Sequence, residues 1–364
     1  LMMRAVGEML YQDPEQHTFI NFITRYLGKG WGYFSVWSYW LSVVFIGMAE
    51  ITAIAHYVQF WFPSWPSWLI QVVFLTILGL VNLIAVKIFG EVEFWFAMIK
   101  IVAILAMIAT GVFLVLTGFE TPYGSASLVN ISEQFSLFPN GGMNFVMAFQ
   151  MVFFAYLMIE FIGVTTSETK DPRKVLPKAV KEIPLRIIFF YGGALLAIMS
   201  IIPWRELSAT DSPFVTVFEL VGLKWAAALI NFVVLTSAAS ALNSTLYSTG
   251  RHLYQIAHDS PNRFLKAIKA DTLSRHNVPQ NAIIASAVLI GLAAFINVLP
   301  GVSDAFALIT ASSSGVYIAI YILIMVAHLK YRKSKDFMAD GYLMPQYRLL
   351  NPLTMLFFMF VFGI

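Results

Sequence analysis

Residues 94–116 read FWFAMIKIVAILAMIATGVFLVL, 23 positions with a single charge, Lys100. As a helix rising 1.5 Å per residue this run is about 34 Å long, enough to cross roughly 30 Å of hydrocarbon. The strands of a membrane barrel are about ten residues long and alternate strictly; this run is too long and too uniform for that. Seven other runs read the same way: Gly32–Phe62, Ser67–Ile88, Met143–Thr166, Leu185–Pro203, Trp225–Ala257, Asn281–Leu299 and Ser303–Leu329. A partial run lies at each end, Leu1–Tyr11 and Leu353–Ile364. The fold class is therefore an all-α polytopic membrane protein, and the two partial runs lead us to expect an internal portion of a longer one.

Composition agrees. Hydrophobic residues make up 59% of the 364 and charged residues 12%, where a soluble domain has about 25% charged. A soluble fold of this size could not hide so much apolar surface. There is no Cys, which excludes disulfides, thiolate metal sites and Cys nucleophiles. His-Glu-x-x-His, Gly-x-Ser-x-Gly and Walker patterns are absent and the six His are scattered, so no enzyme, cofactor or metal site is expected. The net charge of +3 is small, and the basic residues sit in short connections rather than on one face, so no nucleic-acid partner is expected.

The placement of that charge carries more. The connections Tyr11–Gly30, Lys87–Glu93, Glu168–Arg186, His258–Gln280 and Lys330–Arg348, with Arg4 and Arg251, hold 20 of the 23 Lys and Arg. The intervening connections Pro63–Pro66, Thr117–Gly142, Trp204–Lys224 and Pro300–Gly301 hold two, Arg205 and Lys224. Positive loops mark the cytoplasmic side, which puts the basic set and both ends of the sequence there.

Three charged residues stand out inside the runs: Glu50, Lys100 and Glu160. Each costs on the order of 2.5–3.5 kcal/mol on insertion scales and so calls for a reason. Glu50 and Glu160 read either as site groups or as groups that hold two helices together. Lys100 reads either as a site group or as a side chain snorkelling to the interface. The small polar stretch around Ser237, Ser240 and Asn243 suits close helix packing, or it lines a site.

Several motifs resemble a known family. GMAEITA at Gly47–Ala53 with YVQFWFP at Tyr57–Pro63, FGEVEFWFAMIK at Phe89–Lys100, and EFIGVTTSETKDPRK at Glu160–Lys174 are similar to the third, fifth and sixth helices of bacterial amino-acid permeases. Pro177-Lys178-Ala179 and Pro184-Leu185-Arg186 continue the likeness. These permeases belong to the amino acid–polyamine–organocation superfamily. The resemblance implies an inverted-repeat (5+5 helix) transporter fold, truncated here at both ends. Residues 1–364 would be a single transmembrane transporter domain holding the end of helix 2, helices 3 to 10 and the start of helix 11. It implies import of a small neutral amino acid of the D-serine/D-alanine/glycine type across the bacterial inner membrane by proton symport. Its partners would be the amino acid, H+ and membrane lipid.

By the same resemblance, helix 6 breaks near Ala155, Tyr156, Leu157 and Met158, where freed carbonyls hold the substrate ammonium. Phe154 and Tyr156 would close the pocket, with Glu160 as the polar group beside the break. Lys100 would take the place of a sodium ion and carry the coupling proton. Glu50, Ser237, Ser240 and Asn243 are possible lining groups. Other amino acids (L-serine, L-alanine, GABA, aromatic or basic) and exchange remain alternatives within the class, with a channel or an intramembrane enzyme outside it.

Overall fold

A computed structural model describes residues 1–16, 18–84, 89–133, 135–160, 169–207, 212–222, 224–259, 262–274, 278–296, 298–299 and 305–364. Residues 161–168 of the helix 6 motif, Lys87, His17, His276, the Pro300–Gly301 turn and the ends of the Ser67–Ile88, Met143–Thr166 and Ser303–Leu329 runs lie outside them.

The described chain is almost wholly helical: α1 Met2–Gln12, α2 Ile20–Leu27, α3 Lys29–Gln59, α4 Ser67–Ile84, α5 Phe89–Thr117, α6 Val129–Glu133, α7 Gly142–Phe154, α8 Pro172–Ile187, α9 Gly193–Ile201, α10 Pro213–Leu220, α11 Lys224–Asp259, α12 Arg263–Ala267, α13 Gln280–Gly291, α14 Ala293–Ile296, α15 Ala305–Tyr331 and α16 Tyr347–Phe362. A helix bonds every backbone group within its own segment, which hydrocarbon demands. Five described helical stretches are long and apolar enough to cross a membrane: Lys29–Gln59, Trp95–Thr117, Pro172–Ile201, Trp225–Asp259 and Ala305–Tyr331. Ser67–Leu83, Gly142–Phe154, Gln280–Ile296 and Tyr347–Phe362 are shorter apolar helices.

Several stretches depart from the reading by apolar runs. Glu168–Arg186 was expected as a connection, yet α8 begins at Pro172 and leads through a π turn at Ile188–Gly192 into α9. Its buried residues Leu176, Val180 and Ile183 recur at helical spacing beneath a charged face, so periodicity and not mean hydropathy carries the signal. Pro184 lies inside the helix, four residues before the π turn. The Trp204–Lys224 connection likewise holds α10, which buries Val215, Val217 and Phe218. Thr117–Gly142 holds a two-residue-strand hairpin, β1 Glu120–Thr121 with β2 Gly124–Ser125, and α6.

The chain forms two compact units. One comprises Leu1–Phe45, Asn140–Leu185 and Ala307–Ile364; the other comprises Ile46–Pro139 and Arg186–Phe306. The second has an apolar core in which Met107, Ile201, Val217, Ala227 and Ile230 pack together. α5 and α9 approach closely here: a Cβ built on Gly111 would lie 2.4 Å from Ala197 Cβ. Small residues at such crossings let helix backbones pack in lipid. α5 ends in a Schellman turn, with Phe119 N–H on Leu114 C=O (3.0 Å), Gly118 N–H on Val115 C=O (3.3 Å) and Gly118 at φ +57°; glycine takes that left-handed position without a Cβ clash. Large apolar side chains cover the outside of this unit. Trp95, Phe113 and Leu116 are 66%, 63% and 81% exposed, a surface suited to lipid rather than water.

The first unit is held by polar contacts as well as apolar ones. Glu8, 1% exposed, is ion-paired with Arg332, whose Nε lies 2.5 Å from Oε1 and whose Nη2 donates to Oε2 at 2.6 Å. Met344 N–H donates to the same Oε2 at 2.6 Å. His328 Nε2 lies 3.2 Å from it, and Asn351 Nδ2 reaches His328 Nδ1 at 2.9 Å. This network ties α1 to the end of α15, the following loop and α16.

Candidate functional site

α7 starts at Gly142 and runs as a regular apolar helix to Phe154. Ala155 N–H still bonds Met151 C=O (3.3 Å); beyond it Tyr156 and Leu157 N–H bond Phe153 and Phe154 C=O (3.0 and 3.1 Å). The bonding step shortens from four residues to three, and residues 155–160 form turns. Met158 has φ +63°, a left-handed conformation that costs an L side chain about 1–2 kcal/mol. Backbone strain of this kind persists only where the surroundings hold it. The interruption falls on the stretch Ala155–Met158 for which the resemblance implies a break.

Two features give this turn an electrostatic character. The C-terminal end of a helix carries partial negative charge, and α7 ends here. Glu160, 1% exposed, adds a carboxylate six residues on. Its Oε2 accepts a hydrogen bond from Tyr321 Oη at 2.5 Å. The Tyr317 hydroxyl adjoins both the Glu160 carboxylate and the Tyr39 hydroxyl. Tyr39, Tyr317 and Tyr321 form a chain of edge contacts with centroids 5.6 Å apart at each step. Phe154, Tyr156, Leu157 and Met158 are half-buried around the turn and Ala155 is exposed. The arrangement suits a small cation with a modest apolar body.

The tyrosines on α15 escaped the sequence reading, although a signal was present. Thr310, Ser313, Ser314, Tyr317 and Tyr321 recur at helical spacing within an apolar span, and all are buried. Ser314 Oγ donates to Gln150 C=O (2.9 Å), and Thr310 Oγ1 approaches Met151 Sδ (3.7 Å). This polar stripe therefore lies along α7. Ser313 Oγ donates to Ser42 C=O on α3 (3.2 Å).

The other expected residues belong to the second unit. Glu50 on α3 and Lys100 on α5 are half-buried and electrostatically coupled. Asn243 on α11 accepts from Asn82 on α4, Nδ2 to Oδ1 at 2.6 Å. Ser240 is buried and its carbonyl accepts from Ser244 Oγ (3.1 Å). Ser237 is half-buried. Asn231, further up α11, donates to Tyr57 C=O (2.9 Å). Asn243 thus joins two helices.

Comparison with known proteins agrees with this architecture. The chain is 48% identical over 362 residues to the DL-alanine permease SerP2 of Lactococcus lactis subsp. cremoris (strain MG1363), covering 100% of this chain and 78% of that protein. It is 47% identical over 369 residues to the serine permease SerP1 of the same organism, covering 99% and 80%. The D-serine/D-alanine/glycine transporter of Escherichia coli (strain K12) is 42% identical over 366 residues, covering 99% and 77%. The family described as amino acid permease matches residues 1–364. The chain belongs to that family, and is a multi-pass membrane transporter of amino acids rather than an enzyme.

Proposed function

We propose that this chain imports a small neutral amino acid of the alanine, serine and glycine type, D-enantiomers included, together with a proton across the bacterial inner membrane. The observation that carries the reading is the interruption of α7: a helix C-terminus, a strained turn and a buried carboxylate together at residues 154–160. A helix C-terminus and a carboxylate favour an ammonium group. Phe154, Tyr156, Leu157 and Met158 are half-buried at the turn, and a side chain as large as Met at position 158 suits a small substrate. The relatives named above for DL-alanine, serine, and D-serine, D-alanine and glycine support the same size class.

For coupling, Lys100 is the proton carrier and Glu50 the charge that answers it. A proton lost and regained at an intramembrane group can bias two transport states. Ser237, Ser240 and Asn243 are secondary lining groups in this reading. The basic connections face the cytoplasm, and residues 1–364 belong to a single transporter domain.

Uptake of labelled D-alanine and L-alanine by the full-length protein in proteoliposomes, with an inward proton gradient and no sodium, tests this directly. Gradient-driven accumulation is expected for both. Lys100→Ala is expected to abolish gradient-driven accumulation and to leave alanine exchange. Accumulation that persists in Lys100→Ala overturns the coupling role, and uptake of neither enantiomer overturns the substrate class.

A further inference from the structure

We propose that Tyr321 is the positioning residue for the break in α7, holding Glu160 so that the turn between them keeps its substrate-binding shape; this rests on the reading of the break as the substrate site. Tyr321 brackets the turn. Its ring packs on Phe153, one residue before the end of α7, with centroids 5.7 Å apart. Its hydroxyl donates to Glu160 Oε2 at 2.5 Å, at the far end of the turn. One side chain from α15 therefore contacts both flanks of residues 155–160.

The tyrosine is itself fixed. It is 2% exposed and lies against Tyr317 (5.6 Å) and Phe358 (5.7 Å); Phe358 in turn packs on Phe153 (5.9 Å). Between these flanks Met158 stands in the left-handed region, which a free turn would abandon. A short hydrogen bond from a buried donor, where water cannot compete, is a strong tether for such a turn. Tyr321 touches no substrate in this account. It acts through Glu160, and its effect should appear in affinity rather than in turnover.

Tyr321→Phe removes the hydroxyl and keeps the ring bracket. In proteoliposomes of the full chain, uptake of labelled L-alanine should show KM raised about five- to tenfold, with the maximal rate within about twofold. That is the size of effect expected for one buried hydrogen bond. Tyr321→His, which keeps an N–H donor, should recover part of the loss, and it answers in place of the Phe variant if the latter fails to reach the membrane. Glu160→Gln should impair uptake by itself. Adding Tyr321→Phe to Glu160→Gln should then change KM little, because the two residues act as one.

A wild-type KM in Tyr321→Phe beside an impaired Glu160→Gln overturns the role of Tyr321 alone, as do effects that add in the double variant. Wild-type uptake by Glu160→Gln overturns the break as substrate site, and this inference with it. Absence of alanine uptake by the wild-type chain overturns both.

Discussion

The two units of this chain handle buried polarity differently. In the second unit, the described polar groups on apolar helices join neighbouring helices by local contacts: Asn82 with Asn243, and Asn231 with the Tyr57 carbonyl. Elsewhere in this unit a small residue lets two helices pack closely, as where Gly111 meets Ala197. In the first unit, polar groups form continuous networks. The Glu8, Arg332, His328 and Asn351 cluster is one; a second is the stack of tyrosine rings from Tyr39 through Tyr317 to Tyr321, whose hydroxyl bonds Glu160. Local contacts pin helices at points. A network fixes several segments at once, including backbone that has left the helix, and the interrupted helix lies in the unit that has the networks.

The largest effect expected from breaking this contrast is at Glu8. Glu8→Ala leaves the Arg332 guanidinium buried beside two ring faces, Tyr347 at 4.1 Å and Phe337 at 4.9 Å, without its counter-charge. Removing one partner of a buried pair costs about 3–5 kcal/mol. The thermal midpoint in detergent should fall steeply. The double variant Glu8→Leu with Arg332→Met should recover most of the loss, because replacing the whole pair by apolar groups removes the stranded charge. A double variant no more stable than Glu8→Ala would mean that the network acts through shape alone.

The second unit should fail through sterics instead. Gly111→Ala places a methyl group 2.4 Å from Ala197 Cβ and 3.0 Å from its Cα, and overpacking of this kind costs about 1–3 kcal/mol. Ala197→Gly should restore the thermal midpoint. No loss in Gly111→Ala would show that α5 and α9 have room to part.

These two cases also show what could be read from the sequence. The helical class and most helix positions were legible, because apolar runs such as Trp225–Ala257 need only length and composition. The place of the interruption in α7 was legible only through the family resemblance: Phe153-Phe154-Ala155-Tyr156-Leu157-Met158-Ile159 is apolar throughout, and nothing in its periodicity stops a helix. α8 was missed for the opposite reason, since its charged face lowers the mean hydropathy while Leu176, Val180 and Ile183 keep helical spacing. The Glu8 network was illegible because its members are more than 300 residues apart, at Glu8 and Arg332. The tyrosines at positions 317 and 321 were legible in principle, as part of a polar stripe along one helix face, but carboxylates and lysines drew the reading first.

A finer test concerns the left-handed turn. In a helix interior Ala is more stable than Gly by about 1 kcal/mol. At a left-handed position the order reverses by a similar amount, because Ala keeps the Cβ clash. Both Met158→Gly and Met158→Ala remove the same half-buried side chain, so the difference between them isolates the backbone. Met158→Gly should have the higher thermal midpoint of the two. The reverse order would mean that α7 continues through Met158, and the contrast between the units would lose its main structural element.

The smallest effect is expected at Asn243, and it sharpens the contrast most. If this side chain serves mainly to join α4 to α11, Asn82→Ala and Asn243→Ala should each cost little, and their double-mutant coupling should be about 0.6 kcal/mol, a typical value for polar pairs between membrane helices. Transport should then fall equally in both variants, in step with stability. If Asn243 also lines a proton site, Asn243→Ala should lower gradient-driven uptake while Asn82→Ala does not, at the same loss of thermal midpoint. The bond is directional: Asn82 gives Nδ2 to Asn243 Oδ1, which leaves the Asn243 amide hydrogens for another acceptor. A difference between the two variants would therefore come from that amide group, and it would make Asn243 a polar group of the second unit that does more than join helices.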